Sequence, residues 1–143
     1  MMRFLKLQIM VLQILALAAF GLASGCSKNL QHLQSIEEFE EQVLLADKPV
    51  LVEFYKGGCP TCLGLEPGLD KLAKEYEGRV EFARFELMSP IFVVTSPELK
   101  DHYDVSIFPT VLLFDQAEVQ GRWVMDYDLN SYRQALNRVA LPD

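Results

Sequence analysis

The residues most able to do chemistry are Cys59 and Cys62, separated by Pro60 and Thr61. A nucleophilic sulfur must be ionised, and an ordinary thiol titrates near about 8.5. Cys59 follows an apolar run, Val50-Leu-Val-Glu-Phe-Tyr55, and a Lys56-Gly57-Gly58 turn, and it precedes a helical pattern. A helix start offers unpaired N–H donors and about half a positive charge, which favour thiolate over thiol. Pro60 fits the first helical turn, where its missing N–H leaves no bond unmade. Cys62 lies one turn further in, within reach of a mixed disulfide formed at Cys59. The pair is therefore expected to exchange with disulfides and to be its own redox centre, with no other cofactor.

Two other readings of the pair compete. Half a zinc site needs two more ligands, and the only histidines are His32 and His102, without paired spacing. No metal is expected. A purely structural disulfide across so short a loop removes little chain entropy.

The elements that must position these sulfurs can be read along the chain. Ser35-Ile-Glu-Glu38 is a capping box, and Ile36, Phe39 and Val43 share one helical face until Asp47-Lys48-Pro49 stops it. Val50–Tyr55 reads as a central strand covered on both faces. A helix from Pro60 to about Tyr76 places Leu65, Leu69, Leu72 and Tyr76 at helical spacing, and Pro67 kinks it. Val80 to Leu87 is a second strand. Ser96-Pro97 starts a short helix, Thr110–Phe114 is a third strand, and Glu118–Val124 a fourth. Asp128 caps a last helix that points Leu129, Tyr132, Leu136 and Val139 inward. Helices alternating with strands require parallel pairing, and the tight turn at Asp115-Gln-Ala117 makes the last two strands antiparallel. The expected fold class is α/β: a mixed sheet of four to five strands with helices on both faces.

The chain has 143 residues and a net charge of −7. Its first 25 residues hold Arg3 and Lys6 and no acid, so 11 of the 13 basic side chains face 20 acidic ones in the rest, a balance of −9. Such a domain repels nucleic acid and anionic lipid. MMRFLK is a basic start, an apolar stretch follows, and small residues precede Cys26, which together describe a secretory signal. Leu22-Ala-Ser-Gly-Cys26 resembles the lipobox of bacterial lipoproteins. That resemblance implies cleavage after Gly25, lipidation of Cys26 and a domain held to a membrane in the cell envelope, facing the periplasm or the exterior. An uncleaved anchor and a soluble secreted form are the alternatives. The domains expected are a signal over 1–25, a polar tether over 26–34 and a globular domain over 35–143.

From Ser35 to Leu141 the sequence resembles thioredoxin. Pro67 falls five residues after Cys62, where that family has its helix-kinking proline. Glu53 falls six residues before Cys59, where the family has a buried Asp serving the resolving cysteine, and Arg84 falls where it has a Lys. Ile107-Phe-Pro-Thr110 resembles the loop with the cis-proline. The resemblance implies that Pro109 is cis and that Phe108 and Pro109 bind substrate backbone. It implies catalytic roles for Cys59, Cys62 and Glu53. The partners implied are protein dithiols and disulfides, and outside the cytoplasm a membrane-embedded source of electrons. Reduction is the preferred direction. A thioredoxin-fold binding module without turnover is the competing class.

Three departures stand out. Pro60 directly after the first cysteine is similar to glutaredoxins and periplasmic disulfide oxidases. Met125 takes the place of a family glycine at the rim of the groove. About six residues are added near Ser89-Pro-Ile-Phe-Val-Val94, and this apolar run reads as a buried strand extension in preference to an exposed interaction surface.

Overall fold

The computed structural model describes residues 30–140. The signal, Cys26 and the first residues of the tether lie outside them. Five strands and four helices follow in order: β1 (Gln31–Leu33), α1 (Ile36–Phe39, continuing as a wider π-helical turn Glu40–Leu44), β2 (Val50–Lys56), α2 (Pro60–Glu75), β3 (Glu81–Met88), α3 (Pro97–His102), β4 (Thr110–Asp115), β5 (Glu118–Val124) and α4 (Leu129–Val139). The sheet order is β1-β3-β2-β4-β5. β3 is parallel to β1 and β2, while β4 is antiparallel to β2 and β5 to β4. This is the mixed α/β sheet expected.

Helix starts follow local chemistry. Ser35 Oγ accepts from the Glu38 N–H at 3.2 Å, and Glu38 reaches back to the Gln34 N–H at 2.7 Å. Ser96 caps α3 through the Leu99 N–H, and Asp128 caps α4 through the Asn130 N–H. These bonds occupy donors that have no partner inside the helix.

The central strand β2 divides the core in two. Val50, Val52 and Phe54 face one side with Phe39, Phe85, Leu112 and Phe114. There Phe39 lies 5.7–6.1 Å, centroid to centroid, from Phe54, Phe85, Tyr103 and Phe114. Leu51 faces the other side with Leu65, Leu69 and Leu72 of α2 and Tyr132 and Leu136 of α4. By the two-residue period of a strand, Glu53 points to the same side as Leu51, under α2.

Two expectations are corrected. The tether does not reach Gln34: Gln31–Leu33 pairs with Ala83–Phe85, and Leu30 and Leu33 are buried. The folded domain therefore begins before Ser35. The insert is not a buried strand extension. β2 ends at Lys56 opposite Met88, and β1 ends opposite Phe85, so no strand remains beside residues 89–94. Apart from one bridge between Met88 and Val94, this segment is a turn with Ile91, Phe92 and Val93 exposed. Among the described residues no helix is long and apolar enough to cross a membrane.

Candidate active site

Cys59 is the residue at which β-structure gives way to α2. Its backbone is extended (φ −83°, ψ 117°), and Pro60 opens the helix. The Cys59 carbonyl accepts from the Leu63 N–H at 3.1 Å, so the cysteine is seated on the first turn. Both cysteines are free thiols, Cys59 half-buried and Cys62 buried. Burial alone pushes the Cys59 thiol up. It is outweighed by hydrogen bonds from the Thr61 hydroxyl, the Cys62 thiol and the backbone N–H groups of Cys62 and Thr61, and the net shift is down. The Thr61 Oγ1 lies 2.9 Å from the Cys59 sulfur. These are the donors a thiolate needs.

Cys62 is held the other way. Burial pushes its thiol up to about 12, opposed by a backbone hydrogen bond at Lys56 and reinforced by its bond to Cys59 and by the charges of Cys59 and Glu53. The surroundings favour the anion at one sulfur and the proton at its neighbour.

Glu53 lies beneath this pair and is fully buried. In the sheet it stands directly opposite Arg84, whose Nε donates to Glu53 Oε2 at 2.6 Å. The same guanidinium donates through Nη1 to Glu66 Oε2 at 2.8 Å and sits 4.4 Å from the Tyr55 ring centroid. Among the described residues Glu53 Oε1 has no hydrogen-bond partner. Burial raises the Glu53 carboxyl to about 7; the charge and hydrogen bond of Arg84 pull it down, and the charge of Glu66 pushes it up.

The third wall is the turn before β4. The Phe108–Pro109 peptide is cis, as expected. Pro109 is buried and Phe108 half-buried. The Phe108 carbonyl lies 3.5 Å from the Thr61 hydroxyl, a longer and competing acceptor for the one proton that Cys59 takes, and the Pro109 carbonyl accepts from the Met125 N–H at 3.0 Å. Met125 keeps a positive φ of 50° where the family resemblance has glycine, so the backbone path is retained and a side chain is added at the rim.

The structure thus brings together Cys59, Cys62, Glu53, Phe108 and Pro109. Three further residues join them. Thr61 bridges Cys59 and the cis-proline turn. Tyr127 donates to the Thr61 carbonyl at 3.1 Å. Glu66 shares Arg84 with Glu53. Glu66 was legible in principle, because it lies four residues after Cys62 on the same helical face. Tyr127 carried no local signal, since its contact spans 66 residues of sequence.

A dithiol with one ionisable sulfur and one that keeps its proton is suited to exchange with a disulfide, which is the chemistry of a thiol–disulfide oxidoreductase. The thioredoxin family model matches residues 31–138. The chain is 31% identical over 101 residues to thioredoxin of Rickettsia bellii, covering 71% of this chain and 90% of that one. It is 32% identical over 95 residues to thioredoxin of Thiocapsa roseopersicina, covering 66% and 97%. It is 34% identical over 84 residues to the chloroplastic thioredoxin M4 of Arabidopsis thaliana, covering 59% and 40%. The chain belongs to the thioredoxin family. It is a thiol–disulfide oxidoreductase, and protein disulfides are its substrate class.

Proposed function

We propose that this protein reduces disulfides of exported proteins while a lipidated Cys26 holds it to a membrane, with its folded domain in the periplasm or at the cell exterior. In this reading the Cys59 thiolate attacks one sulfur of a substrate disulfide, and the other substrate sulfur leaves as a thiolate that takes a proton from water. Cys62 then gives its proton to the Glu53 carboxylate by way of water and attacks the Cys59 sulfur. The second substrate thiolate is released and a Cys59–Cys62 disulfide forms. Two electrons pass from the cysteine pair to the substrate. A membrane-embedded dithiol partner returns them.

The observation that carries this reading is the opposite poise of the two sulfurs. Donors converge on Cys59, while Cys62 is buried beside a carboxyl that titrates near pH 7. A base with that value can accept a proton at neutral pH and pass it on. Phe108, held by the cis bond to Pro109, offers its main chain on the Thr61 side of the site to an extended substrate that can add as a strand. The sequence Leu22–Cys26 supports the anchor.

Insulin reduction tests the chemistry. Cys59→Ser is expected to abolish it, and Cys62→Ser to accumulate a mixed disulfide with substrate, seen as a reducible adduct by mass. Activity that survives Cys59→Ser overturns the reading. Fractionation tests the anchor: Cys26→Ala is expected to move the protein out of the membrane fraction.

A further inference from the structure

The Ser89–Val94 turn is not part of the site described above, yet it is built with care for its backbone. The Ser89 N–H donates to the Val93 carbonyl at 2.8 Å, and the Phe92 N–H donates to the Ser89 carbonyl at 3.0 Å. The Val93 N–H donates to Ser89 Oγ at 3.1 Å, and the Thr95 N–H closes the base onto the Leu87 carbonyl at 3.1 Å. A turn so bonded is fixed in place. Even so, it turns its apolar side chains to solvent: Ile91 is 80% exposed, Phe92 71% and Val93 55%. Phe92 has a φ of 64°, a conformation that favours glycine and is rare for an aromatic residue. A strained residue that exposes a large apolar side chain points to a use for that side chain.

Position says what use. Sheet order puts β3 on one side of β2 and β4 on the other. The turn continues β3, the Phe108–Pro109 turn leads into β4, and Cys59 follows β2 between them. Pro90 packs on the chain that leads to Cys59: a Cβ at Gly57 would come within 2.6 Å of Pro90 Cδ. Lys56, three residues before Cys59, places its Nζ 3.3 Å from the Phe92 ring centroid. Pro90 and Phe92 therefore lie against the chain that leads to the reactive sulfur, with the Lys56 ammonium set on the Phe92 ring.

We propose that Ile91, Phe92 and Val93 form a second docking edge, across Cys59 from the cis-proline turn, for an apolar stretch of the substrate polypeptide beside its disulfide. The proposal rests on the reading that Cys59 attacks protein disulfides. A chain laid along the Pro109 side advances about 3.3 Å per residue, so a few residues carry it past Cys59 onto this turn. A lipid surface and a second copy fit less well. The domain carries 11 basic and 20 acidic side chains after residue 25, so it repels anionic headgroups and its own kind.

The test compares three substrates: bis(2-hydroxyethyl) disulfide, a disulfide-linked peptide flanked by Leu and Val, and the same peptide flanked by Ser and Asn. The wild type is expected to favour the apolar peptide by about tenfold in kcat/KM. The Ile91→Ser/Phe92→Ser/Val93→Ser variant is expected to lose that preference and to turn over the small disulfide as before. A preference that persists in the variant, or none in the wild type, overturns the proposal. Phe92→Gly, which suits the positive φ, carries the same readout if the triple variant does not fold. If no disulfide is turned over, the catalytic reading has failed; docking is then read by fluorescence anisotropy of the dye-labelled reduced apolar peptide on the Cys59→Ser protein, with and without the three serines. Phe92-dependent pelleting with phosphatidylglycerol vesicles, or a dimer in sedimentation that the serines dissolve, assigns the face elsewhere and overturns the proposal.

Discussion

At the scale of single residues, the site works by giving two chemically identical thiols different surroundings. Thr61 is the side chain that does most to separate them. Its hydroxyl lies 2.9 Å from the Cys59 sulfur and also faces the Phe108 carbonyl, so it has one acceptor on each side. Thr61→Val keeps the shape and removes the donor. The Cys59 pKa is expected to rise. The pH dependence of iodoacetamide alkylation reads this directly, because Cys62 is buried and protonated throughout the range. Loss of thiolate stabilisation also destabilises the reduced form, so the reduction potential is expected to fall. An alkylation profile that does not move shows that the backbone N–H groups alone set the Cys59 titration.

At the scale of elements, most of the frame was legible because burial on two faces writes a strong pattern. β2 is an apolar run, and the structure buries Val50, Leu51, Val52 and Phe54 from both sides. α2 announced itself by leucines at helical spacing. β1 could not be read: Gln31 and His32 are exposed and Leu33 alone turns inward within the strand, and three residues give no period to detect. The Ser89–Val94 turn misled for the converse reason. Four apolar residues in a row look like a buried strand, and only the register, which leaves them without a neighbouring strand, shows that they leave the sheet. α1 is held by few residues of its own, with Phe39 and Val43 buried. Its hold on the sheet rests on Phe39, which meets four aromatic rings. Phe39→Ala is expected to cost about 3–5 kcal/mol, read as a lower urea midpoint with an unchanged slope. A loss below about 1 kcal/mol shows instead that α1 frays from the sheet without consequence for the rest.

At the scale of the whole molecule, the buried carboxyl that serves the cysteines is a burden on the fold. The Glu53 carboxyl is raised from 4.5 to about 7 by burial, against the pull of Arg84. The folded chain therefore keeps a proton that the unfolded chain releases across this interval. Stability is fully present below about pH 4.5, declines as pH rises, and has lost the whole contribution once pH passes about 7. The slope is about 1.4 kcal/mol per pH unit, which places the loss on the order of 3 kcal/mol. Cys59 is lowered from 9.0, so it adds stability as pH rises toward 9, against the trend of Glu53, and the comparison is made on the Cys59→Ser protein to remove it. The other shifted groups act outside this window. Glu37 and Glu75 are lowered, so their contributions vanish only as pH falls below 4.5. Cys62 is raised from 9.0 to about 12, so its contribution is lost above pH 9. Urea denaturation of the Cys59→Ser protein at pH 5 and pH 7.5 is thus expected to find it less stable at the higher pH. Glu53→Gln in the same background keeps a hydrogen-bond acceptor for Arg84 and removes the titration, so the two pH values are expected to give nearly the same stability, with the gain appearing at pH 7.5. Glu66→Gln removes a negative charge that raises the Glu53 carboxyl, so the decline still begins near pH 4.5 but is expected to end at lower pH and to be smaller in total. A Cys59→Ser protein whose stability is flat between pH 5 and pH 7.5 shows that Glu53 is ionised in the fold, and its role as the base that takes the Cys62 proton near neutral pH is lost with it.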